Sequence, residues 1–452
     1  MTLATENGRE TSTHPARPRR PRHPLRAELV RGFGPWAGAA VLLMFAVTLA
    51  TSAEQWQGDW AETREKLHAA AGLLGVPLAL AAGCWQGGRE RRRGTEELWA
   101  VSARSPLARL LASALPQALW VIAGYTVAVV LAWLATWYCA TGDSPYVIAP
   151  LTDAAVLASG VVAGQVVGRL VAWRLAAPLL AVGAYVSIGL LSYSGGDNPL
   201  VPLSPVPDGT TDSVPVWWQP VAMVGWTGGL AAGAVLAHAA RRRGFAVLPL
   251  AAATAAATLL VQTGDDAWHT GAIARRQVCD TSTTPQICVN ARHERLLPQV
   301  TDALSGLTGR LEGVRNLPVR FEDLPGPPAR DEVELPMLTP VGWSVVRGEL
   351  ADPREYAWAA GMSLYGRIEC EEPHPSLDAV DNAVEYYLAP SPMERRFDEQ
   401  YATRGEAERA ELRARLDARA RLKAMGEQER RDWLSAYFAT TDECAPGRVP
   451  AL

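Results

Sequence analysis

Hydrophobic residues gather into seven runs over residues 1–262, and each run is close to the ~20 residues that cross a ~30 Å hydrocarbon layer as a helix. This pattern predicts a transmembrane domain over residues 35–262. Its spans are expected near residues 35–53, 67–86, 110–137, 150–172, 175–194, 217–240 and 245–262. The first run also allows an interpretation as a cleaved signal peptide, since Thr51, Ser52 and Ala53 loosely fit a small-residue cleavage site. Its long basic flank and the later spans favour a retained span.

Residues 263–452 are polar and rich in charge, which is typical of a soluble domain, and we expect this domain to be α+β. Its predicted elements are extended segments at 287–290, 318–322 and 343–350, an amphipathic helix at about 293–311, a helix that begins at Asp352, a long charged helix over 391–425 and a further helix over 427–439. Asp352 before Pro353 fits the preference for a capping carboxylate followed by proline at the first helical position.

Charge predicts how the spans are oriented. The predicted cytoplasmic segments hold 18 arginines, distributed over residues 1–34, the loop at 87–109, and positions 169, 174 and 241–243. The predicted outer loops hold only Arg64 and Lys66. Because basic residues favour cytoplasmic loops, we expect a multi-pass plasma-membrane protein with its N-terminus in the cytoplasm and residues 263–452 outside the cell.

The tail over residues 1–34 combines seven arginines with several prolines and few apolar residues, which predicts a disordered basic cytoplasmic segment. We interpret it as the flank that keeps the N-terminus inside; a nucleic-acid-binding arm is the less favoured alternative, and no nucleic-acid partner is expected. Trp56 and Trp60 fall in the first outer loop, which is therefore expected to lie on the membrane interface.

Four cysteines fall in the predicted outer domain: Cys279, Cys288, Cys370 and Cys444. An even number of cysteines in such a domain predicts disulfides. Of the three possible pairings we favour Cys279–Cys288 with Cys370–Cys444, because the first pair closes a short, threonine-rich turn. The alternatives are a reduced cytoplasmic domain with inverted topology and a four-cysteine zinc site, for which the usual CxxC spacing is missing.

Glycines repeat every fourth residue in two predicted spans. They are Gly160, Gly164 and Gly168 in the fourth span and Gly225, Gly229 and Gly233 in the sixth. Small residues one turn apart let two helix backbones touch, which is a main source of contact where lipid is as apolar as the side chains. These stripes predict helix packing, either within the chain or in a homo- or heterodimer formed through the spans.

Polar groups inside the spans are few. No Lys, Asp or Glu lies in the middle of a predicted span, whereas proton- or ion-coupled carriers usually need such residues. Coupled secondary transport is therefore not expected. The deep amides Gln117 and Gln165 are expected to form hydrogen bonds between helices rather than to bind a substrate.

Signatures of catalysis are missing as well. The chain has no GxxxxGKS/T phosphate loop and no GxSxG nucleophile elbow. His293 and Glu294 begin like the helix of a zinc protease, but Leu297 stands where the second histidine would be. We therefore expect no catalytic residue, no metal and no cofactor, and do not expect an enzyme.

The loop at 87–109 and the span that follows it carry a resemblance. Residues that match are Arg92, Gly94, Thr95, Glu96, Glu97 and Leu98, followed by Ser105, Pro106 and Arg109. They resemble the RxxGTxELL-like segment after the second span in permease subunits of exporter-class ABC transporters, where it is a cytoplasmic coupling helix that docks on a separate ATPase. The resemblance covers roughly residues 25–240 and implies a six-span core, to which this chain adds a seventh span and an outer domain. The layout is also similar to that of actinobacterial membrane proteins.

The functional expectation combines this resemblance with the missing phosphate loop, since powered movement then requires an ATPase on another chain. The coupling segment is expected to comprise Arg91, Arg92, Arg93, Glu96, Glu97, Leu98 and Trp99. The alternative for its arginines is contact with anionic membrane lipid. We expect a permease-like subunit that exports or moves a lipid, peptide or drug-like substrate. A membrane-anchored extracytoplasmic binding or sensing protein is the alternative, and a membrane-bound enzyme ranks third.

Overall fold

The computed structural model describes residues 29, 32–94, 105–140, 144–171, 173–194, 198–206, 211–340, 344–365, 375–441 and 446–452. Seven helices in these ranges are long and apolar enough to cross a membrane, by length and composition. They are span 1 (Gly34–Thr51), span 2 (Trp60–Gly87), span 3 (Pro106–Trp137), span 4 (Ile148–Leu170), span 5 (Ala176–Tyr193), span 6 (Gln219–Ala239) and span 7 (Arg243–Ala267). The fold is therefore that of a multi-pass helical membrane protein. The predicted basic tail lies almost entirely outside the described residues.

Span 2 begins earlier than the hydropathy pattern predicts, at Trp60 instead of residue 67. Asp59 caps the helix, and its Oδ1 accepts a hydrogen bond from the backbone N of Ala61 at 2.6 Å. The first two turns of span 2 are helical, but their charged residues exclude these turns from the apolar run. A π turn over Ala71–Gly75 divides the span into two α-helical parts.

The prediction that the loop with Trp56 and Trp60 lies on the interface is wrong. Both side chains are buried, with 3% and 7% of their surface exposed. The Trp56 indole donates to Leu49 O at 2.9 Å, and the Trp60 ring packs edge-on against the Trp137 ring. A tryptophan whose indole N–H has a hydrogen-bond partner, as that of Trp56 does, can be buried within the bundle instead of lying at the membrane interface. Sequence alone does not distinguish these two locations.

Spans 1 to 4 form the core of the bundle, around the buried side chains of Phe45, Tyr125 and Leu157. Spans 5 and 7 are mostly exposed. We denote the ends of the spans that face residues 268–452 as the domain side, and the other ends as the opposite side.

Strands and helices both occur in the C-terminal part of the chain, and one further strand, β1 (Ser213–Pro215), lies in the loop between spans 5 and 6. The strands of the C-terminal part are β2 (Trp268–Thr270), β3 (Gln277–Asp280), β4 (Gln286–Asn290), β5 (Arg320–Glu322), β6 (Glu332–Glu334), β7 (Val345–Val346) and β8 (Glu349–Leu350). The helices are α1 (Leu297–Arg310), α2 (Pro353–Tyr365), α3 (Pro375–Leu388), α4 (Glu394–Thr403), α5 (Glu406–Ala424) and α6 (Glu427–Phe438). Strands β3 to β6 form one sheet in sequence order, antiparallel between β3 and β4 and parallel elsewhere. Helix α1 packs on this sheet through Val300 and Leu304.

Two helix predictions in this part need correction. The single helix expected over 391–425 is two helices, α4 and α5, which are separated at Arg404 and Gly405 by extended backbone. The helix expected from 293 begins as a 3₁₀ segment over Ala291–Leu296, and the α-helix starts only at Leu297. Pro298 fits that start, because proline lacks the N–H that the first helical turn leaves unused.

Candidate functional site

A narrow cleft of about 60 Å³ lies on the domain side between spans 2, 4, 6 and 7. Its lining combines polar side chains, such as Arg64, Glu65 and His68 of span 2, with apolar ones, such as Val201, Met223 and Leu260. A lining that mixes polar and apolar side chains suits part of an amphiphilic molecule.

The loop between spans 5 and 6 closes the cleft. At Gly72, in the π turn of span 2, an added Cβ would lie 2.9 Å from Pro205 O, so glycine permits this close approach. Further along, β1 pairs with β2 in antiparallel register, with Val214 opposite His269. Arg64 donates to Thr211 O at 3.2 Å and to Ser213 O at 3.0 Å, which ties β1 to span 2.

His68, Asp153 and Tyr125 connect spans 2, 4 and 3 beside the cleft. His68 Nδ1 lies 2.5 Å from Asp153 Oδ1, and the Tyr125 hydroxyl donates to Asp153 Oδ2 at 2.7 Å. Both carboxylate oxygens are engaged, and only 5% of the Asp153 side chain is exposed. A carboxylate placed in this way fixes the orientation of an imidazole. His68, which lines the cleft, is therefore a positioned group that can exchange a hydrogen bond or a proton with a bound molecule.

A second buried histidine lies where the C-terminal part meets the bundle. His293 Nδ1 lies 3.0 Å from Asp323 Oδ2, and His293 Nε2 lies 3.4 Å from Oδ2 of Asp59, the cap of span 2. Burial acts to lower the pKa of His293, but hydrogen bonds to Asp323 and Asp59 raise it to about 9. Burial acts to raise the pKa of Asp59, yet the hydrogen bond to His293 and the nearby positive charges hold it below its usual value. A charged imidazolium between two carboxylates therefore joins span 2 to the domain.

Three further contacts hold the same junction. Arg292 pairs with Asp212 at 2.9 Å. The Thr339 hydroxyl donates to Glu62 Oε1 at 3.0 Å, and Arg295 donates to Ala140 O at 2.7 Å. Asp59 and Glu62 lie at the beginning of span 2, the helix that carries His68. A displacement of the domain would therefore be transmitted to that helix through these two residues.

The glycines of span 4 lie against span 2. A Cβ at Gly164 would collide with Leu80 O, one at Gly168 would collide with Cys84 O, and Gly160 faces the Cβ of Ala79 at 3.4 Å. On span 2, Gly83 and Gly87 form the other half of this contact, because a Cβ at either position would collide with the backbone of span 4. The two backbones therefore touch over about two helical turns, from Leu80 to Gly87 of span 2. The glycine pattern in the sequence identified only the span 4 half of this contact.

The glycines of span 6 lie against span 7. A Cβ at Gly229 would lie 2.7 Å from Pro249 O, one at Gly233 would lie 2.6 Å from a methyl carbon of Leu250, and one at Gly225 would lie 3.4 Å from the Cβ of Ala256. Both stripes thus face neighbours in the same chain.

The predicted coupling segment is described only at its beginning. Arg91 and Arg92 belong to a short helix, Arg89–Arg92, that continues from span 2, and Arg93 follows it. Arg91 donates to Arg169 O at 3.2 Å, and Glu90 pairs with Arg169 at 3.4 Å, so this segment contacts the end of span 4. The remaining predicted residues, Glu96, Glu97, Leu98 and Trp99, lie outside the described residues.

The cysteines and deep amides give mixed outcomes. Cys279 and Cys288 form a disulfide between β3 and β4, whereas Cys370 and Cys444 lie outside the described residues. Gln165 donates to Ser113 of span 3, as expected for an interhelical hydrogen bond. The expectation fails for Gln117, whose two polar side-chain atoms are buried without a hydrogen-bond partner among the described residues.

No protein-family model, curated protein or solved structure matches this chain.

Proposed function

We propose that the chain is the permease-like membrane subunit of a transporter that moves or exports an amphiphilic lipid, peptide or drug-like substrate, driven by an ATPase on a separate chain. The observation that carries this proposal is the narrow cleft beside His68 between four spans, whose lining combines polar and apolar side chains. Positioned polar groups next to apolar surface fit a molecule with a polar head and an apolar body.

The proposed orientation places the opposite side in the cytoplasm and the C-terminal domain outside the cell. It is supported by the described arginines at the opposite side, which include Arg89, Arg169, Arg174 and the group at 241–243. A cytoplasmic excess of arginine is the usual pattern of short loops. In a plasma membrane this orientation exposes the cleft and the domain to the outside.

A mechanical connection between the coupling segment and the cleft follows from the contacts already described. The helix Arg89–Arg92 continues span 2 and pairs with span 4 through Glu90 and Arg169. Spans 2 and 4 touch along their glycines and carry His68 and Asp153 near their domain-side ends. A displacement of the coupling segment would thus be transmitted along both helices to the His68–Asp153 pair, since packed helices shift as rigid elements.

The proposal is tested by affinity purification of the full chain from membranes of its host, followed by mass spectrometry for an ATPase with a phosphate loop. Wild type is expected to retain such a subunit, and the variant E96A/E97A is expected to lose it while its expression and topology stay intact. The matched control is D302A/E312A, which removes two exposed acids of the C-terminal domain that do not line the cleft. Full retention of the ATPase by E96A/E97A would show that this segment is not the coupling element.

The alternative, a membrane-anchored binding or sensing protein, is favoured by one separate observation. A cavity of about 400 Å³ within the C-terminal domain is lined by acidic and aromatic side chains, among them Trp358, Glu385 and Phe397, together with Arg415, which pairs with Asp378. Failure of wild type to retain any ATPase, together with saturable binding of a fluorescent aromatic cation to the purified full chain, would favour this second function.

A further inference from the structure

The cavity of about 400 Å³ in the C-terminal domain lies between α2, α3, α4 and α5, and it shares no lining residue with the cleft beside His68. Its volume is that of a site for a small organic molecule. The described residues of its lining include four acids and one base, which are Asp378, Asp381, Glu385, Glu394 and Arg415. A ligand in this cavity would be held by the domain itself, whichever function the spans perform.

The arginines beside the cavity are already engaged. Arg415 forms ion pairs with Asp378 and with Glu411, both at 2.8 Å. Arg419, the next arginine along the same face of α5, pairs with Glu394. The positive charge of these two side chains is therefore balanced by carboxylates, and it does not oppose the entry of a cation.

Glu385 is the lining acid that these arginines do not pair with. Its partners are neutral, because the Trp358 indole donates to Oε1 at 2.6 Å and the Asn382 amide also donates to the carboxylate. Burial raises the pKa of Glu385 more than these donors and the more distant charges of Arg419 and Arg415 lower it. Glu385 is half-buried and lines the cavity, so its incompletely balanced carboxylate is accessible to a ligand.

Apolar side chains that lack a covering partner lie beside Glu385. Phe397 is 45% exposed and Met362 is 39% exposed, and both line the cavity. Among the described residues, no ring or guanidinium stacks on Phe397 or Trp358, whereas Arg415 already lies 4.8 Å from the centre of the Tyr401 ring. Aromatic faces attract cations, and a methionine side chain adapts to apolar surfaces of different shape.

We propose that this cavity binds a small organic cation, in which a protonated amine is attached to a flat apolar body. The charged nitrogen pairs with the Glu385 carboxylate, and the apolar body lies against Trp358, Met362 and Phe397.

The test is a fluorescence titration of the full chain, purified in an uncharged detergent, with 9-aminoacridine, which is cationic at neutral pH. The matched probe is acridine, which has the same ring system but is neutral at that pH. Wild type is expected to bind 9-aminoacridine saturably and about tenfold more tightly than acridine, because only the cation gains a charged hydrogen bond to Glu385.

Two variants separate the contributions of the carboxylate and of the ring. E385Q keeps an acceptor for the Trp358 indole but removes the charge, and it should weaken 9-aminoacridine binding about tenfold while leaving acridine binding unchanged. F397L keeps an apolar side chain but removes the ring, and it should weaken 9-aminoacridine binding about threefold. The control E399Q removes an exposed acid of α4 that does not line the cavity, and it should bind as wild type does.

Three results would overturn the proposal. Equal affinity of wild type for the two probes would mean that the site does not select charge. An equal loss in E399Q and E385Q would mean that the cation binds diffusely to the acidic surface. Unchanged binding in both E385Q and F397L would place the probe elsewhere in the protein or in the detergent. These outcomes are independent of whether an ATPase is retained, so failure of this proposal and failure of the transport function are distinguishable.

Discussion

Replacement of His293 by glutamine tests how the C-terminal domain is attached to the bundle. Glutamine keeps a polar side chain of similar size but removes the positive charge between Asp59 and Asp323. Only 4% of His293 is exposed, so solvent screens its charge weakly. Asp59, which caps span 2, is also buried and would lose its closest hydrogen-bonded cation.

The expected magnitude follows from the pKa of His293, which is raised from the ordinary histidine value of 6.5 to about 9. A shift of that size corresponds to roughly 3 kcal/mol of stabilisation. Since the folded-state pKa lies above the unfolded value, this stabilisation is fully present below about pH 6.5 and is lost as the pH rises through about 9. At pH 7 the variant H293Q should therefore lose most of it.

Hydrogen–deuterium exchange in detergent, corrected for the intrinsic effect of pH, measures this loss locally. In wild type the segments around residues 53–63 and 286–297 should open more as the pH rises from 7 to 10. In H293Q they should exchange roughly a hundredfold faster at pH 7 and show a much weaker pH dependence, because 1.4 kcal/mol is a factor of ten. The matched control is H269Q, which replaces an exposed histidine in β2 of the same region.

Exchange in H293Q that equals wild type at pH 7 would refute the reasoning, as would a wild type whose junction shows no change between pH 8 and 10. Either result would mean that His293 is neutral in the folded protein or that its charge does not hold the junction.

Three further predictions concern packing, disulfides and topology. The variant G164L should drive span 4 away from span 2 and lower the yield of monodisperse protein on size-exclusion chromatography. The control G183L should behave as wild type, because nothing lies within 4 Å of a Cβ added there. Normal assembly of G164L would mean that the two helices do not touch. The variant C279S/C288S should lower the unfolding free energy of the domain by about 3 kcal/mol on the chain-entropy model. Non-reducing mass mapping of wild type should find Cys279 linked to Cys288 and Cys370 linked to Cys444. Four free thiols would contradict both pairings. In intact cells a membrane-impermeant thiol reagent should label S305C, an exposed position in α1, but not S102C, in the predicted cytoplasmic loop at 87–109. Labelling in the reverse pattern would show that the topology is the inverse of the proposed one.

The spans could be predicted from sequence because about twenty consecutive apolar residues have few other stable environments. The beginning of span 2 could not, because Glu62, Arg64, Glu65 and Lys66 break the apolar run where the helix has already started. Local capping at Asp59 and burial under the domain override the hydropathy pattern there. The same burial explains why Trp56 and Trp60 are not interfacial.

The candidate site was beyond sequence reasoning for a related reason. His68 and Asp153 are separated by 85 residues and Tyr125 and Asp153 by 28, so only the packing of spans 2, 3 and 4 brings them together. One signal was present, since an ionisable residue inside an apolar helix needs a partner. Sequence placed Asp153 near the end of a span, and His68 drew no attention because span 2 was expected to begin beside it.

The most direct test of the proposed function is ATP-dependent uptake by inverted membrane vesicles from the host. The substrate is a fluorescent amphiphile, and vesicles with and without the chain are compared. The proposal predicts uptake that requires both ATP and the chain, that falls strongly in H68L, and that is absent in E96A/E97A but normal in D302A/E312A. ATP-dependent uptake that is equal in vesicles lacking the chain, or that is unchanged in E96A/E97A, would contradict the assignment of this protein as a permease subunit driven by a separate ATPase.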